Sequence, residues 1–260
     1  MFLADNKVVT AFEQKKPAFG LYLMTPSTRL VEFFAGAGFD FIRLDLEAGV
    51  MNIETLGNLI LASHAAGITP FVRVDGVNEY QIHTALRLGA MGIIIPKVDS
   101  VDRVKEAIRY TKGAPHGERA VRPMNATGGW GRAGADEYVE WADRNIVLSA
   151  QIETKSGVEA IDEIVKLDGL DMVQSGRGDL SSDYSPGNQY SDAVLAAERR
   201  VIEAGMAAGK MTSVQYYPVR KSDDVDRVRA YIDQGVYCLS LGVDADLIAP
   251  FQNAINAIKR

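Results

Sequence analysis

Short apolar runs recur along the chain, and each follows a helical stretch that closes on glycine: AGAGFDFIRL (35–44), AAGITPFVRV (65–74), LGAMGIIIP (88–96), LDGLDMVQS (167–175), AAGKMTSVQ (207–215) and DQGVYCLSL (233–241). Glycine at a helix C-terminus supplies the left-handed residue that turns the backbone into the next element. The runs are rich in Ile, Val and Phe and do not alternate strictly with polar residues, the pattern of a strand buried on both faces. Residues 18–24 and 146–153 read the same way, which brings the expected strands to eight. Helical periodicity follows each of them, over 28–37, 53–66, 79–88, 101–110, 158–167, 192–208, 223–234 and 246–258, with Ser27 and Asn52 placed to cap the first two. An α/β chain with eight such units predicts a parallel eight-stranded (β/α)8 TIM barrel, as a single domain over residues 1–260. A doubly wound open sheet has the same local pattern, and the count of eight decides against it. One stretch breaks the rhythm. Residues 111–143 include TKGAPHGERAVRPMNATGGWGRAG, and a connection of that length inside a compact domain is expected to serve function.

Composition excludes several classes. The 260 residues are 47% hydrophobic and 24% charged, ordinary for a folded globular chain and unlike a disordered one. With 28 Lys+Arg against 34 Asp+Glu the net charge is −6, so neither nucleic acid nor an anionic membrane is an expected partner. Cys238 is the only cysteine, which rules out an intrachain disulfide and a cysteine-based zinc site. Residues 1–12 carry Asp5, Asn6 and Lys7 with no long apolar core. No apolar stretch approaches the roughly 20 residues of a membrane span, so a cytoplasmic protein is expected.

In a barrel of this kind the reactive groups sit at the C-terminal ends of the strands. That rule selects Asp45 and Glu47 after strand 2, Arg73 and Asp75 after strand 3, and Pro96 and Lys97 after strand 4. It selects Gln151 and Glu153 at strand 5, SGRGDLSSDYSPGN (175–188) after strand 6, Tyr216 and Tyr217 after strand 7, and Gly242 and Asp244 after strand 8. Glu153 and Asp179 fall at the mouths of neighbouring strands. Two convergent carboxylates without cysteine or clustered histidine suit a hard divalent ion, Mg²⁺ or Mn²⁺; solvated loop acids are the other reading. In the run Ser175, Gly176, Arg177, Gly178 the glycines permit close backbone approach. Its N–H groups can cradle a carboxylate or phosphate, unless the run is a plain tight turn. Arg73 ends an apolar strand and needs a partner there: Asp45, Glu47, an anionic substrate, or both. Other signals carry less. Residues 129–134 match G-x-G-x-x-G but follow no good strand. His64, His83 and His116 read as packed or surface residues, with a role open for His83, and Cys238 reads as core.

Taken together, GLYL (20–23), AGAGFDFIRLDLE (35–47), PFVRVDG (70–76), LGAMGIIIPKV (88–98), GERA (117–120), QIET (151–154), SGRGDLS (175–181), PGN (186–188) and LGVDADLI (241–248) resemble the HpcH/HpaI aldolases, the class II, metal-dependent pyruvate aldolases. The likeness runs from Gly20 to the C-terminus. It implies a (β/α)8 barrel that assembles into a homo-oligomer, a trimer or hexamer, by exchanging a terminal helix. It implies a divalent cation, Mg²⁺, Mn²⁺ or Co²⁺, with Glu153 and Asp179 as ligands. Arg73 then matches the arginine on the keto oxygen, Gln151 a substrate-contacting glutamine, and Gly176 with Ser175 and Arg177 the cradle of the pyruvate carboxylate. Asp45 and Glu47 match acids that support the site and its waters, and Tyr22 stands where the family has Trp. One departure bears on mechanism. The family's acid-Gly-Glu-His pattern reads Asp45, Leu46, Glu47, Ala48 here, so Ala48 takes the place of a catalytic histidine. The aspartate paired with that histidine, contributed in the family by a neighbouring subunit, corresponds by spacing to Arg87.

The resemblance implies a carbon–carbon lyase that cleaves or forms a 4-hydroxy-2-oxo acid through a pyruvate enolate, with a small 2-oxo acid and an aldehyde as partners. Aldol cleavage needs a base for the 4-hydroxyl, worth about 10²–10⁴-fold. Without the histidine, that work falls to metal-bound water, to Glu47, to Tyr216 or to the substrate itself. A related enolate enzyme that decarboxylates or condenses, and a barrel that binds a 2-oxo acid without turnover, stay open beside it. Arg87, Arg132 and residues 111–134 are candidates to line the pocket for the variable portion of the substrate.

Overall fold

The computed structural model describes residues 2–216, 219 and 222–259. Eight parallel strands close into one barrel: β1 (Ala18–Leu23), β2 (Phe41–Asp45), β3 (Thr69–Arg73), β4 (Gly92–Ile95), β5 (Val147–Ile152), β6 (Met172–Ser175), β7 (Met211–Gln215) and β8 (Cys238–Val243). Each pairs with its neighbours in sequence, and β8 returns to β1. The chain is therefore a (β/α)8 TIM barrel, as the eight repeated units predict. Around the strands lie α1 (Lys7–Glu13), α2 (Thr28–Gly36), α3 (Ile53–Ala65), α4 (Glu79–Leu88), α5 (Val101–Thr111) and α6 (Ala135–Asn145). They are followed by α7 (Lys155–Glu159), α8 (Ile161–Ile164), α9 (Arg177–Tyr184), α10 (Asp192–Ala207), α11 (Ser222–Asp233) and, after a 3₁₀ turn over Asp244–Ile248, α12 (Ala249–Ile258). Ser27 and Asn52 cap α2 and α3 by accepting from the N–H groups of Leu30 and Thr55. The glycines that close the helical stretches, Gly38, Gly67, Gly89, Gly169, Gly209 and Gly235, all have φ between +70° and +107°, where a Cβ would strain the backbone.

Alternation along the strands sorts their side chains into two shells. Outward residues such as Ile42, Leu44, Val72, Ile93 and Val173 pack beneath the helices. Inward residues fill the barrel in layers. Phe41, Phe71, Ile94, Val147, Met172 and Met211 plug its lower end, where Val8 and Val9 of α1 join them. The rings need room: a Cβ on Gly20 would lie 2.2 Å from Phe41, and one on Gly92 would lie 2.1 Å from Phe71. Above the plug the interior turns polar, with Arg43, Ser149, Gln174, Ser213 and Ser240 all buried. The strand ends above that layer carry the candidate site.

Four elements depart from the sequence expectation. Helix α6 takes up the end of residues 111–143, expected as one long connection, and runs on to Asn145, so the irregular part narrows to 112–134. Its buried Tyr138, Trp141, Ala142 and Asn145 follow helical spacing behind Asp136 and Glu137 in the first turn. Helix α1, where no element is expected, starts at Asn6, which caps Val8 N–H and donates from its amide to the carbonyls of Met91 and Asn145. The helix expected over 158–167 is two short ones, α7 and α8, because Thr154 caps the chain early, through Gly157 N–H. The segment after β6 is the helix α9 rather than a loop. Leu180 N–H closes its first turn on Gly176 carbonyl, and the Leu180 side chain is fully buried. Tyr217, expected at the end of the seventh strand, lies outside the described residues. No helix among the described residues is long and apolar enough to cross a membrane.

Candidate active site

Strand register places Asp45 opposite Arg73, and their side chains meet at two points. Arg73 donates from Nε to Asp45 Oδ1 (3.0 Å) and from Nη2 to Oδ2 (2.5 Å). Its Nη1 lies 2.9 Å from Glu47 Oε2, and the other Glu47 oxygen takes Lys97 Nζ, also at 2.9 Å. Asp45 Oδ1 accepts from the backbone N–H groups of Glu47 and Ala48 as well. The Tyr22 ring underlies the Arg73 guanidinium with its centroid 4.8 Å away. Burial opposes the Arg73 charge, yet the Asp45 and Glu47 carboxylates outweigh it and hold the guanidinium pKa above its ordinary value. Arg73 is thus a permanent cation whose direction is fixed by three carboxylate oxygens.

Glu153, just past β5, is 1% exposed. Its Oε1 accepts from Lys97 N–H at 2.7 Å and its Oε2 from the Gln151 amide. Gln151 in turn accepts from Gln174 Nε2 at 2.8 Å. To aim its N–H, Lys97 takes a left-handed φ of +51°, uncommon for a residue with a Cβ. All these donors are neutral. Burial pushes the Glu153 carboxyl up to about 7, and the negative charges of Asp179 and Glu47 add to that, against the lowering hydrogen bonds from Lys97 and Gln151. Asp179 itself is exposed, in the first turn of α9. The N–H groups of Arg177, Gly178 and Asp179 in that turn have no acceptor within the helix. A Cβ at Gly176 would sit 2.4 Å from Glu153 Oε2 and 3.1 Å from Gln151 Nε2, so only glycine leaves this space open.

These residues fit a divalent cation. The positive charge near the buried Glu153 carboxylate is the exposed Lys97 ammonium, which is paired with Glu47 and felt by Glu153 and Asp179 only at longer range, so burial and the neighbouring acids still raise Glu153. Hard oxygen donors beside space kept free by Gly176 can supply the place for a cation. Among the described residues no group of three or more His, Cys, Asp and Glu side chains is placed to hold a metal. A cation held here would have Glu153 and Asp179 as its protein ligands and would leave its other positions to water and substrate, the mode Mg²⁺ commonly uses.

Other expected residues are placed differently. The run 175–178, expected to offer its backbone N–H groups, turns the side chains of Ser175 and Arg177 outward to α10: Ser175 Oγ donates to Glu198 Oε2 (2.8 Å), and Arg177 Nε lies 3.2 Å from the same oxygen. What these two positions offer the site is backbone. The Tyr216 hydroxyl, a candidate base, bonds to Asp224 and Arg227, and its ring lies against the Arg177 guanidinium. Ala48 is exposed on the rim, while Arg87 is exposed in the last turn of α4, which runs from the rim to the lower end; the two positions do not meet within one chain. Residues 121–134 form no strand, so the glycines of 129–134 lack the context of a dinucleotide loop. Sequence reasoning placed Lys97 at a strand end without assigning it a role, and did not single out Gln174 or Arg43. Arg43 is 1% exposed inside the barrel and has no carboxylate partner among the described residues. It donates to Tyr22 Oη (3.1 Å) and Ser213 Oγ (2.7 Å). Its guanidinium lies 5.2 Å from the Tyr22 ring centroid, so Tyr22 packs against two guanidiniums, Arg43 and Arg73. The available signal was an arginine inside the apolar run FIRL.

The sequence profile of the HpcH/HpaI aldolase/citrate lyase family matches residues 18–250. A 4-hydroxy-2-oxo-heptane-1,7-dioate aldolase from Shigella sonnei (strain Ss046) is 29% identical over 97% of this chain and 94% of its own. Among solved structures, the citrate synthase SbnG is similar at a TM-score of 0.83 and 30% identity, with 96% of both chains covered. An HpcH/HpaI aldolase from Desulfitobacterium hafniense DCB-2 is similar at a TM-score of 0.86 and 25% identity, again with 96% of both covered.

Proposed function

This chain belongs to the HpcH/HpaI aldolase/citrate lyase family, and on that premise we propose that it breaks or makes a carbon–carbon bond of a 2-oxo acid through an enolate, held between Arg73 and a divalent cation on Glu153 and Asp179. The observation that carries this reading is an unbroken chain of contacts, Asp45 to Arg73 to Glu47 to Lys97 to Glu153 to Gln151, which joins the ends of β2, β3, β4 and β5. When bound, the cation supplies Lewis acidity at the keto and carboxylate oxygens of the substrate. Arg73 cannot swing away, because Asp45 grips two of its nitrogens; its remaining N–H groups wait where enolate charge grows, without reorganisation during the reaction. The N–H groups at the start of α9 suit the substrate carboxylate, at the positive end of the helix. Gln151 is held by Gln174 and Glu153, so its amide presents a fixed edge to the same space.

Aldol cleavage or formation of a 4-hydroxy-2-oxo acid, with an aldehyde as second substrate, is the first reading. Of the two carboxylates in contact with Arg73, Glu47 is the more accessible, 14% exposed against 1% for Asp45, and so the nearer proton acceptor; Lys97 holds its other oxygen. Ala48 favours a second reading. With no proton-accepting side chain at that rim position, decarboxylation, alone or followed by condensation of the enolate it leaves, becomes the simpler chemistry, since loss of CO₂ gives an enolate without deprotonating a hydroxyl or a carbon. The relatives divide similarly, into aldolases and a citrate synthase. The protein loaded in turn with Mg²⁺, Mn²⁺ and Co²⁺ is to be given pyruvate with an aldehyde, and separately oxaloacetate. An aldol product supports the first reading, and loss of oxaloacetate alone supports the second. Tight pyruvate binding with neither reaction overturns catalysis.

We further propose that copies of the chain assemble through α12. None of its residues is buried, and Phe251 and Ile258 are 71% and 85% exposed, an apolar face left uncovered in the single chain. Phe251→Glu together with Ile258→Glu is expected to convert the oligomer to monomers in sedimentation experiments while the barrel stays folded. An unchanged particle mass would remove α12 from the interface.

A further inference from the structure

One buried acid lies outside the ring of strand-end residues. The buried face of helix α10 includes Val194, Ala197, Val201, Ile202 and Ala204, with Glu198 in its middle. Glu198 is 2% exposed, and a carboxylate in such a place is costly unless its oxygens are taken up. Both are. Oε2 accepts from Ser175 Oγ at 2.8 Å and lies 3.2 Å from Arg177 Nε, while Oε1 accepts from the hydroxyl of Tyr231 on α11. Burial and the Glu198 charge push that hydroxyl above its ordinary pKa, so it stays a donor.

The two residues tied to Oε2 are the neighbours of Gly176 on either side. Ser175 ends β6 and Arg177 opens α9. Both side chains leave outward toward one atom, and Gly176 faces inward, where a Cβ would meet Glu153 and Gln151. The turn from strand to helix is thus fastened from behind. Arg177 also donates from Nη2 to the Gln215 carbonyl (3.2 Å), and the ring centroids of Tyr190 and Tyr216 lie 5.3 and 5.2 Å from its guanidinium. On its outer side Arg177 borders a cavity of about 550 Å³, lined as well by Glu198, Tyr190, Tyr216 and Tyr231. These directed contacts, rather than close packing, therefore set its course. Asp179 follows two residues later in the same first turn of α9.

We propose that Glu198 is a positioning residue for the 2-oxo acid: through Ser175 and Arg177 it holds the start of α9 where the free N–H groups meet the substrate carboxylate. This role rests on the reading of the barrel mouth as a 2-oxo acid site. The substrate carboxylate is held alike before and during reaction, so a loosened grip raises KM and spares kcat. Glu198→Gln keeps the side-chain shape and removes the charge that Ser175 and Arg177 share. Val201→Ala, on the same buried face, is the control; it lowers Tm by leaving a cavity but removes no bond to the turn.

Calorimetric titration of the Mn²⁺-loaded protein with pyruvate is expected to show binding about tenfold to hundredfold weaker in Glu198→Gln than in the native chain or Val201→Ala. With whichever test substrate the protein turns over, KM rises by a similar factor while kcat changes less than about threefold. In metal-free protein, hydrogen exchange of residues 174–182, where Leu180 N–H bonds to the Gly176 carbonyl at 3.0 Å, is expected to quicken in Glu198→Gln relative to the rest of the chain, and not in Val201→Ala. If Glu198→Gln does not fold, Ser175→Ala decides in its place: it removes one donor, leaves the ion pair, and is expected to weaken pyruvate binding about threefold to tenfold. Unchanged pyruvate affinity in the variant overturns this role and leaves the enolate reading standing. Equal weakening by Val201→Ala overturns it too, since lost stability alone then moves the site. A native chain that takes up no pyruvate with Mn²⁺ overturns both.

Discussion

Glu153→Gln is expected to make the metal-free protein more stable at pH 8 while destroying its affinity for divalent cations. The Glu153 carboxyl is raised from an ordinary 4.5 to about 7, first by burial and then by the charges of Asp179 and Glu47. Its folded form therefore holds a proton that the unfolded chain has already lost. Below pH 4.5 both states are protonated and the group costs nothing. As pH climbs from there to about 7, the unfolded state binds fewer protons than the folded one, and stability falls. Above that window the full cost persists, about 3 kcal/mol from the size of the gap. Glutamine cannot ionise. It keeps an oxygen for Lys97 N–H, but its NH₂ group forces the Gln151 amide to turn over, which returns part of the gain. A net rise on the order of 2 kcal/mol, or roughly 4–8 °C in Tm for a chain of this size, is expected at pH 8, and almost none at pH 4.5. Added Mg²⁺ should then raise the Tm of the native chain and leave the variant unmoved. A variant less stable than the native chain at pH 8 would mean that Glu153 is already balanced by charge.

Arg73→Lys is expected to lower kcat by about 10²–10³-fold, the loss typical when one preorganised donor at a developing oxyanion is removed. Lysine keeps the positive charge but not the fork, so it cannot lie along Asp45 and also face the substrate. Arg73→Met goes further. It leaves Asp45, which is fully buried, without its cation, at a cost of about 3–5 kcal/mol. Combining Arg73→Met with Asp45→Asn removes that uncompensated charge. Urea unfolding should show stability largely restored in the double variant, while turnover remains lost. Recovery of turnover along with stability would reduce Arg73 to a structural residue.

Much of the fold was legible because a barrel repeats. Each unit shows the same glycine at a helix end and the same apolar strand, and Gly89, Gly209 and their counterparts all take the positive φ this pattern requires. What escaped was structure made by tertiary contacts. Helix α1 is short and gains its place from Asn6 reaching Asn145 and Met91. Helix α6 was hidden inside a glycine-rich connection whose second half alone has helical spacing. Helix α9 begins on a run of glycine and serine with low helix propensity, and the burial of Leu180 overrides that preference. The candidate site shows the same division. The strand-end rule brought Asp45, Glu47, Arg73, Gln151, Glu153 and Asp179 to one rim, yet it does not say which way a side chain faces. Ser175 and Arg177 sit at the right height but point outward, to Glu198. Lys97 works through its backbone N–H as much as its amine, and one sequence gives no sign of that.

Titration with Mn²⁺ followed by electron paramagnetic resonance, on the native chain, Glu153→Gln and Asp179→Asn, tests most directly whether two acids on neighbouring strands share one cation. The native chain should bind one Mn²⁺ per subunit, more tightly when pyruvate is present, and each single substitution should abolish that binding. Mn²⁺ bound equally well by both variants would contradict the shared site, and with it the proposed route through an enolate between Arg73 and the metal.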